Sequence, residues 1–413
     1  MNKKLLLLTG LSPLILTPTV QGATFSSPDP RTMAMGGTGV SSGDTGNAAL
    51  INPALLASNR DEDDFSLLII AGGGAQDEDE LITELQDLQD DDLIEEFELA
   101  VDNYQVNPTT ANAAIVQNTG NDLVESLVDL GGKPLGVGVD AGIVLGVPMF
   151  DFGFSVFGTT RLEGVGVLTI AQADVTEVQT RIDAATNGQP ILTDPEFVST
   201  GEFVGAIVTE VGVALAKEVV ISGFDFAVGV APKLVTVETF HTGASLEDAE
   251  FELDENTADD SNVNLDIGVV KDFGMGLRVG LVGRNLIEEE YETSPNVGFA
   301  PIELTIESQW QLGASWTTDL YILTADLDLV ETDSAGLFDG EAQFLSVGGE
   351  FDLLDLAQVR AGYRTNLSES DQTLLTVGFG ITFFGTQLDI AAYTNSDDIN
   401  QEVGGALNLG VSF

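Results

Sequence analysis

The chain has one histidine, His241, and no cysteine, so candidates for nucleophilic or thiolate chemistry are few. No Gly-x-Ser-x-Gly elbow is present for His241 to serve, and it falls in a stretch read as a hydrophilic external loop, 241–260, where a solvated side chain is expected. No Gly-x-x-x-x-Gly-Lys-Ser/Thr loop is present to cradle phosphates. Acid clusters at 77–80 and 247–260 lack the ligand order and glycine of an EF-hand, so acidic loops could hold divalent cations only loosely; no metal site and no cofactor is expected. With 67 Asp and Glu against 14 Lys and Arg, a phosphate backbone would be repelled, which excludes nucleic acid as a partner. Enzymatic activity finds no support. What remains is a set of charges whose positions alternate. By parity Arg278, Arg360, Arg364, Asp225, Asp266, Glu303, Glu307, Asp326, Asp328 and Glu350 point to one side of their segments, the inner one. Charges gathered on the inside of a barrel either pair into rigid struts or line a watery path, which acids in excess would bias toward cations.

The elements that must position these charges are strands. From about Leu135 onward, large apolar residues alternate with small or polar ones. Leu375, Val377, Phe379, Ile381 and Phe383 oppose Thr376, Gly378, Gly380 and Thr382, and Val403, Leu407, Leu409, Val411 and Phe413 oppose Gly404, Ala406, Asn408, Gly410 and Ser412. Successive strand side chains point to opposite faces, so each segment has a greasy and a polar side. The run from Ile302 to Trp316 keeps the pattern for 15 residues, beyond the roughly five or six of a typical soluble strand. Strands are expected at 64–72, 135–147, 150–166, 202–217, 222–238, 261–271, 275–285, 301–316, 320–331, 342–352, 357–365, 372–384, 386–394 and 402–413. Connectors after even-numbered strands are short and those after odd-numbered ones mostly long and hydrophilic, as in a membrane barrel with short turns on one side. Trp316 and Tyr321 flank one short turn, where an aromatic girdle would lie. The expected class is all-β, a 14-stranded antiparallel transmembrane β-barrel whose greasy face meets outer-membrane lipid.

The first 22 residues read as a signal peptide, with Lys3 and Lys4 before an apolar core from Leu5 to Leu16. Residues 61–413 form the barrel, with an acidic helical insertion over 75–132 after the first strand. There Leu81, Leu85 and Leu88, then Leu93, Phe97 and Val101, fall at helical spacing, as do Leu123, Val124, Leu127 and Leu130 before Gly131-Gly132. Their apolar stripe is expected to dock on a partner helix or the barrel rim.

Residues 23–60 do not read as a spanning strand. They contain Ala34-Met35-Gly36-Gly37-Thr38-Gly39-Val40, then Gly43-Asp44, then Asn52-Pro53-Ala54-Leu55-Leu56-Ala57. This opening resembles that of FadL-like long-chain fatty-acid transporter barrels, and more closely that of the barrel-type family labelled conjugal transfer protein TraF. The resemblance spans nearly the whole chain. It implies the cell outer membrane of a Gram-negative bacterium, and a luminal plug or hatch formed by Gly36, Gly37, Gly39, Asn52, Pro53 and Ala54, whether a fixed seal or a moving gate. It implies a terminal strand, with Leu409, Val411 and Phe413, recognised by the barrel-assembly machinery. Two functions follow from it as expectations. One is a plugged channel for a small or hydrophobic solute; the other is an accessory barrel of an export or conjugation apparatus, meeting its partners through the acidic insertion.

Overall fold

The computed structural model describes residues 29–58, 65–77, 79–90, 92–149, 152–191, 198–245, 257–295, 300–333, 341–353, 356–368, 373–399 and 401–412. The expected signal peptide and Phe413 lie outside them. Three short helices come first, α1 (Pro30–Ala34), α2 (Ala48–Ile51) and α3 (Leu55–Ser58), followed by strand β1 (Ser66–Gln76). Helices α4 (Leu81–Asp90), α5 (Leu93–Val106) and α6 (Thr110–Leu130) lead to β2 (Pro134–Met149) and β3 (Phe152–Thr169). Helix α7 (Gln172–Thr186) precedes β4 (Thr200–Ile221), β5 (Phe224–Ser245), β6 (Thr257–Gly274) and β7 (Leu277–Arg284). The hairpin β8 (Glu289–Glu292) and β9 (Glu303–Ile306) is followed by β10 (Gln309–Thr317), β11 (Tyr321–Asp328), β12 (Thr332–Asp333) and β13 (Glu341–Ala342). The chain ends with β14 (Phe344–Leu353), β15 (Ala357–Asn366), β16 (Thr373–Phe383), β17 (Thr386–Asn395) and β18 (Glu402–Ser412).

Fourteen of these strands, all but β8, β9, β12 and β13, close into one antiparallel barrel. The seam is β1 against β18, in register from Ser66 opposite Ser412 to Gln76 opposite Glu402. Closure leaves no edge with unpaired backbone groups, which is the condition for a sheet to stand in lipid. The greasy face points outward as alternation demands, with Val377 59% and Leu409 45% exposed. One end has short connections. Ser222-Gly223 and Phe384-Gly385 each place both central residues at positive φ, the turn whose twist matches the strands it joins. Around that rim Phe152, Phe224, Phe273, Trp316 and Phe383 are exposed, and Trp316 meets Tyr321 edge to face at 5.8 Å. Such a belt marks the boundary of the apolar zone.

At the long-loop end, α4 to α7 form a cap with its own core. Phe97, Val116, Leu123, Leu127 and Leu130 pack with Val178 and Ile182 of α7, and Leu135 and Leu168 of the rim lie beneath. Gly120 lets α6 approach α7, since a Cβ there would meet Ile182 and Phe97 at 2.7 and 2.8 Å. Asp77 starts α4 by accepting from the Leu81 and Ile82 amides at 2.6 and 2.9 Å.

Two expectations are corrected. The run 301–316 is not one strand. The barrel part begins at Gln309, because β7 ends at Arg284 and leaves no partner beyond the Arg284–Gln309 pair. The chain before it folds over the mouth as the β8–β9 hairpin, whose Tyr291 and Leu304 are buried on Ala206, Val235 and Val237. Glu303 is thus on a hairpin outside the barrel wall and Glu307 in the link that follows, so neither faces the lumen from a spanning strand. His241 is not a solvated loop residue. It lies in β5, which runs to Ser245, and is fully buried. Its Nε2 meets Glu202 at 2.6 Å and its Nδ1 meets Thr293, just after β8, at 3.1 Å.

Candidate functional site in the lumen

Residues 29–58 lie within the ring of strands. Helix α1 contacts β15 to β18, and α3 contacts β3 to β6. The wall receives the segment through inward-facing glycines. A Cβ on Gly362 or Gly348 would strike the backbone of Met35, and one on Gly229 that of Pro53 and Ala54. The segment's own glycines have backbone reasons to be there. Gly36 and Gly37 have φ of 75° and 86°, a region costly to residues with a Cβ. A Cβ on Gly36 would also lie 2.8 Å from the Tyr363 carbonyl oxygen.

Polar contacts fix the segment in place. The Thr376 hydroxyl accepts from the Gly36 amide and donates to the Ala34 carbonyl, both at 2.9 Å. Asp326 accepts from the amides of Gly39 and Val40 at 2.7 and 2.9 Å. Asn52 donates to the Val40 carbonyl at 2.8 Å and accepts from the Ala54 amide at 3.1 Å across the Pro53 turn, stapling the segment to itself.

The strongest anchor is ionic. Arg31 Nε lies 2.9 Å from Glu350, Arg360 Nε lies 2.6 Å from the same carboxylate, and Arg360 Nη1 lies 2.6 Å from Asp389. All four side chains are nearly inaccessible. Burial alone would pull the Arg31 pKa down, but the Glu350 and Asp44 carboxylates outweigh it and hold the guanidinium charged, above its ordinary range. A buried network of this kind is sensitive to truncation, because deleting one member strands the charges of the others.

Two cavities flank the segment. Toward the short turns, a space of about 450 Å³ is bounded by Arg31, Asp44, Glu350, Arg360 and Asp389. Toward the long loops, a chamber of about 150 Å³ has Ala49 and Leu50 of the segment at its floor. Charged side chains line it with alternating sign from strand to strand. Asp140 is on β2, Arg161 on β3, Glu210 on β4, Lys233 on β5, Asp266 on β6 and Arg284 on β7, followed by Gln311, Asp328 and Arg364. Neighbours join them. Arg161 meets Asp140 at 3.0 Å, and Lys233 meets Glu210 and Asp266 at 3.0 and 3.1 Å. Arg284 donates to Gln311, which donates to Asp328 at 2.7 Å, and Arg364 stacks 3.7 Å over the Phe344 ring. The β8–β9 hairpin lies above this chamber, since Val208 both lines the chamber and packs against the hairpin cluster. Burial, with Glu289 and Asp260 nearby, pushes the Tyr291 hydroxyl there up to about 12.

Of the charges expected inside, Arg360, Asp326 and Glu350 hold the segment, while Asp266, Asp328 and Arg364 line the chamber. Arg278 and Asp225 lie at the short-turn rim instead, where Arg278 reaches Asp272 at 4.0 Å and the Asp225 carbonyl accepts from Lys271. Sequence reasoning passed over Arg31, Asp140, Arg161, Glu210, Lys233, Arg284 and Asp389. Strand parity carried a signal for all but Arg31, which had only its place as a cation among small residues.

A closed antiparallel barrel of fourteen strands, carrying an N-terminal segment inside it, defines a FadL-like barrel. Similar solved structures are the toluene transporter TbuX of Ralstonia pickettii (11% identity, TM-score 0.55, 94% of this chain and 99% of that one) and the toluene transporter TodX of Pseudomonas putida (10%, 0.51, 94% and 99%). A FadL homologue of Pseudomonas aeruginosa is 13% identical, with a TM-score of 0.50 over 95% of this chain and 99% of that one. At such identities the likeness is one of fold. No curated protein matches the sequence. Residues 49–328 match the family described as the F plasmid transfer operon TraF protein, and the chain belongs to that family.

Proposed function

We propose that this protein is a gated outer-membrane channel of a Gram-negative bacterium, passing a small solute between two chambers separated by residues 29–58 acting as a hatch. The observation that carries the reading is the pair of cavities, one on each face of a segment that joins no strand of the barrel sheet. The short turns and both ends of the barrel sequence then face the periplasm and the helical cap faces outward. On this reading β18, with Leu409 and Val411 on its lipid face, is what the assembly machinery engages, and the work is passage rather than catalysis. The similar solved structures include transporters of toluene, which agrees with a passage for small molecules. Reconstituted in liposomes, the full chain should admit small solutes, and Asp326→Ala, which frees the Gly39 and Val40 amides, should admit them faster. A protein sealed to every solute in both forms would end this reading.

A second reading rests on the cap. Leu99, Val106, Ile115 and Val128 on α5 and α6 are 50% or more exposed, which fits an interaction surface of an export or conjugation apparatus. Removing 77–132 while keeping the barrel should then abolish co-purification of partners; unchanged partners would count against it.

A further inference from the structure

We propose that the chamber on the long-loop side of residues 29–58 is a binding site for a small zwitterion, of amino-acid size and charge layout, and not for a hydrocarbon. This rests on the channel reading and names its solute.

Size alone does not decide the matter, because the chamber's 150 Å³ is about what a benzene-sized molecule occupies when the walls are apolar. The walls decide. Four basic and four acidic side chains face this one space, in a chain with only 14 Lys and Arg in all. A hydrocarbon entering it would lie against charged groups and offer them no hydrogen bond. A solute of single charge would find as many repelling as attracting groups. The signs alternate between neighbouring strands, and neighbouring strands are about 4.8 Å apart. An ammonium and a carboxylate separated by one or two carbon atoms therefore meet opposite partners on adjacent strands.

A second observation points to the ammonium. Asn285, at the chamber wall, holds a positive φ of 51° and donates its amide to Asp266 at 2.8 Å. Its side-chain oxygen is shielded from solvent and accepts no hydrogen bond among the described residues. A buried acceptor without a donor is unfavourable, and a rotation of the Asn285 side chain toward the chamber would offer this oxygen to an ammonium, which brings three donors.

The test is equilibrium binding to the full chain, folded in detergent, read by NMR shift perturbation and calorimetry. L-Alanine should bind at least tenfold more tightly than lactate, ethylamine or toluene, which carry one or neither of its charges. Asn285→Gly, which keeps the positive φ available, and Asp328→Asn should each weaken alanine binding about tenfold. Heat-dependent gel mobility reports whether each variant is folded. Toluene bound as tightly as alanine, alanine bound no better than lactate and ethylamine, or no binding of alanine would each overturn the proposal. Liposome entry separates this from the channel reading. Solute entry without alanine binding removes the zwitterion and leaves the channel, whereas alanine binding to a sealed protein does the reverse.

Discussion

At the scale of single residues, the Glu350 carboxylate stands between two guanidiniums, those of Arg31 and Arg360. Glu350→Ala leaves both without it in a buried setting, a loss of about 3–5 kcal/mol. The release is expected where the least structure must be disrupted, at the inner segment 29–58, since Arg360 keeps Asp389. Trypsin added to the purified barrel should cleave after Arg31 in the variant and leave it intact in the parent, where Arg31 is 7% exposed. An uncleaved segment in Glu350→Ala would show that the main-chain fit alone holds it. That fit has its own probe. Gly362→Val would push a side chain into Met35 and Gly36 and should expose Arg31 in the same assay, whereas Gly158→Ala, whose Cβ would find its nearest neighbour at 3.8 Å, should not. Much of this was legible from alternation. The same parity that places Arg360 and Glu350 inside also places Asp389 there. Parity failed at Glu303, because two strands in different sheets can continue one alternating pattern without sharing a face. It said nothing of Arg31, whose role depends on a tertiary approach of over 300 residues in sequence.

At the scale of elements, His241 is the joint between the wall and the β8–β9 hairpin. It ties β5 to the end of β8, and the hairpin gains further bonds from Asn262 to the Tyr291 hydroxyl and from Asn264 to the Ile287 carbonyl at 2.9 Å. His241→Ala leaves the buried Thr293 hydroxyl without its ring partner and opens a cavity, a loss of about 1–3 kcal/mol confined to the hairpin. A glutamate-specific protease should then cut within 288–292 faster, while the barrel's melting temperature hardly moves; unchanged cleavage would show that His241 does not hold the hairpin. Helical spacing revealed the insertion after β1, and α4 to α6 lie close to where it put them. It did not reveal α7, whose Val178 and Ile182 complete the cap core from the next loop. A short amphipathic helix buried by a neighbour distant in sequence has too little pattern of its own to be read alone. The buried place of His241 was missed for a related reason, since β4 and β5 run 22 residues each and carry the wall well beyond the end of the short strand β7.

At the scale of the whole molecule, the closed sheet turns its apolar residues outward, and that face is where the membrane assignment can be measured. Val377→Lys, on a side chain 59% exposed at the middle of β16, should cost about 2–4 kcal/mol if it meets hydrocarbon. Denaturant unfolding from lipid vesicles reads that loss, and a variant as stable as the parent would place this face in water. The strand number and the two ends were legible because period-two alternation and loop length are local properties. The ring of alternating charges was not, because it is made by the shear that brings nine strands to one level.

The glycines that line the wall give the molecule an uneven evolutionary freedom. Where main chain rests on main chain, the shape of the inner segment is moulded by what surrounds it, and its small buried side chains, Ala34, Ala48, Ala54 and Ala57 among them, have no room to grow. Drift should therefore be rarer along the bare tracks on β14 and β15 than at the outward-facing residues of the same strands, which meet no such neighbour.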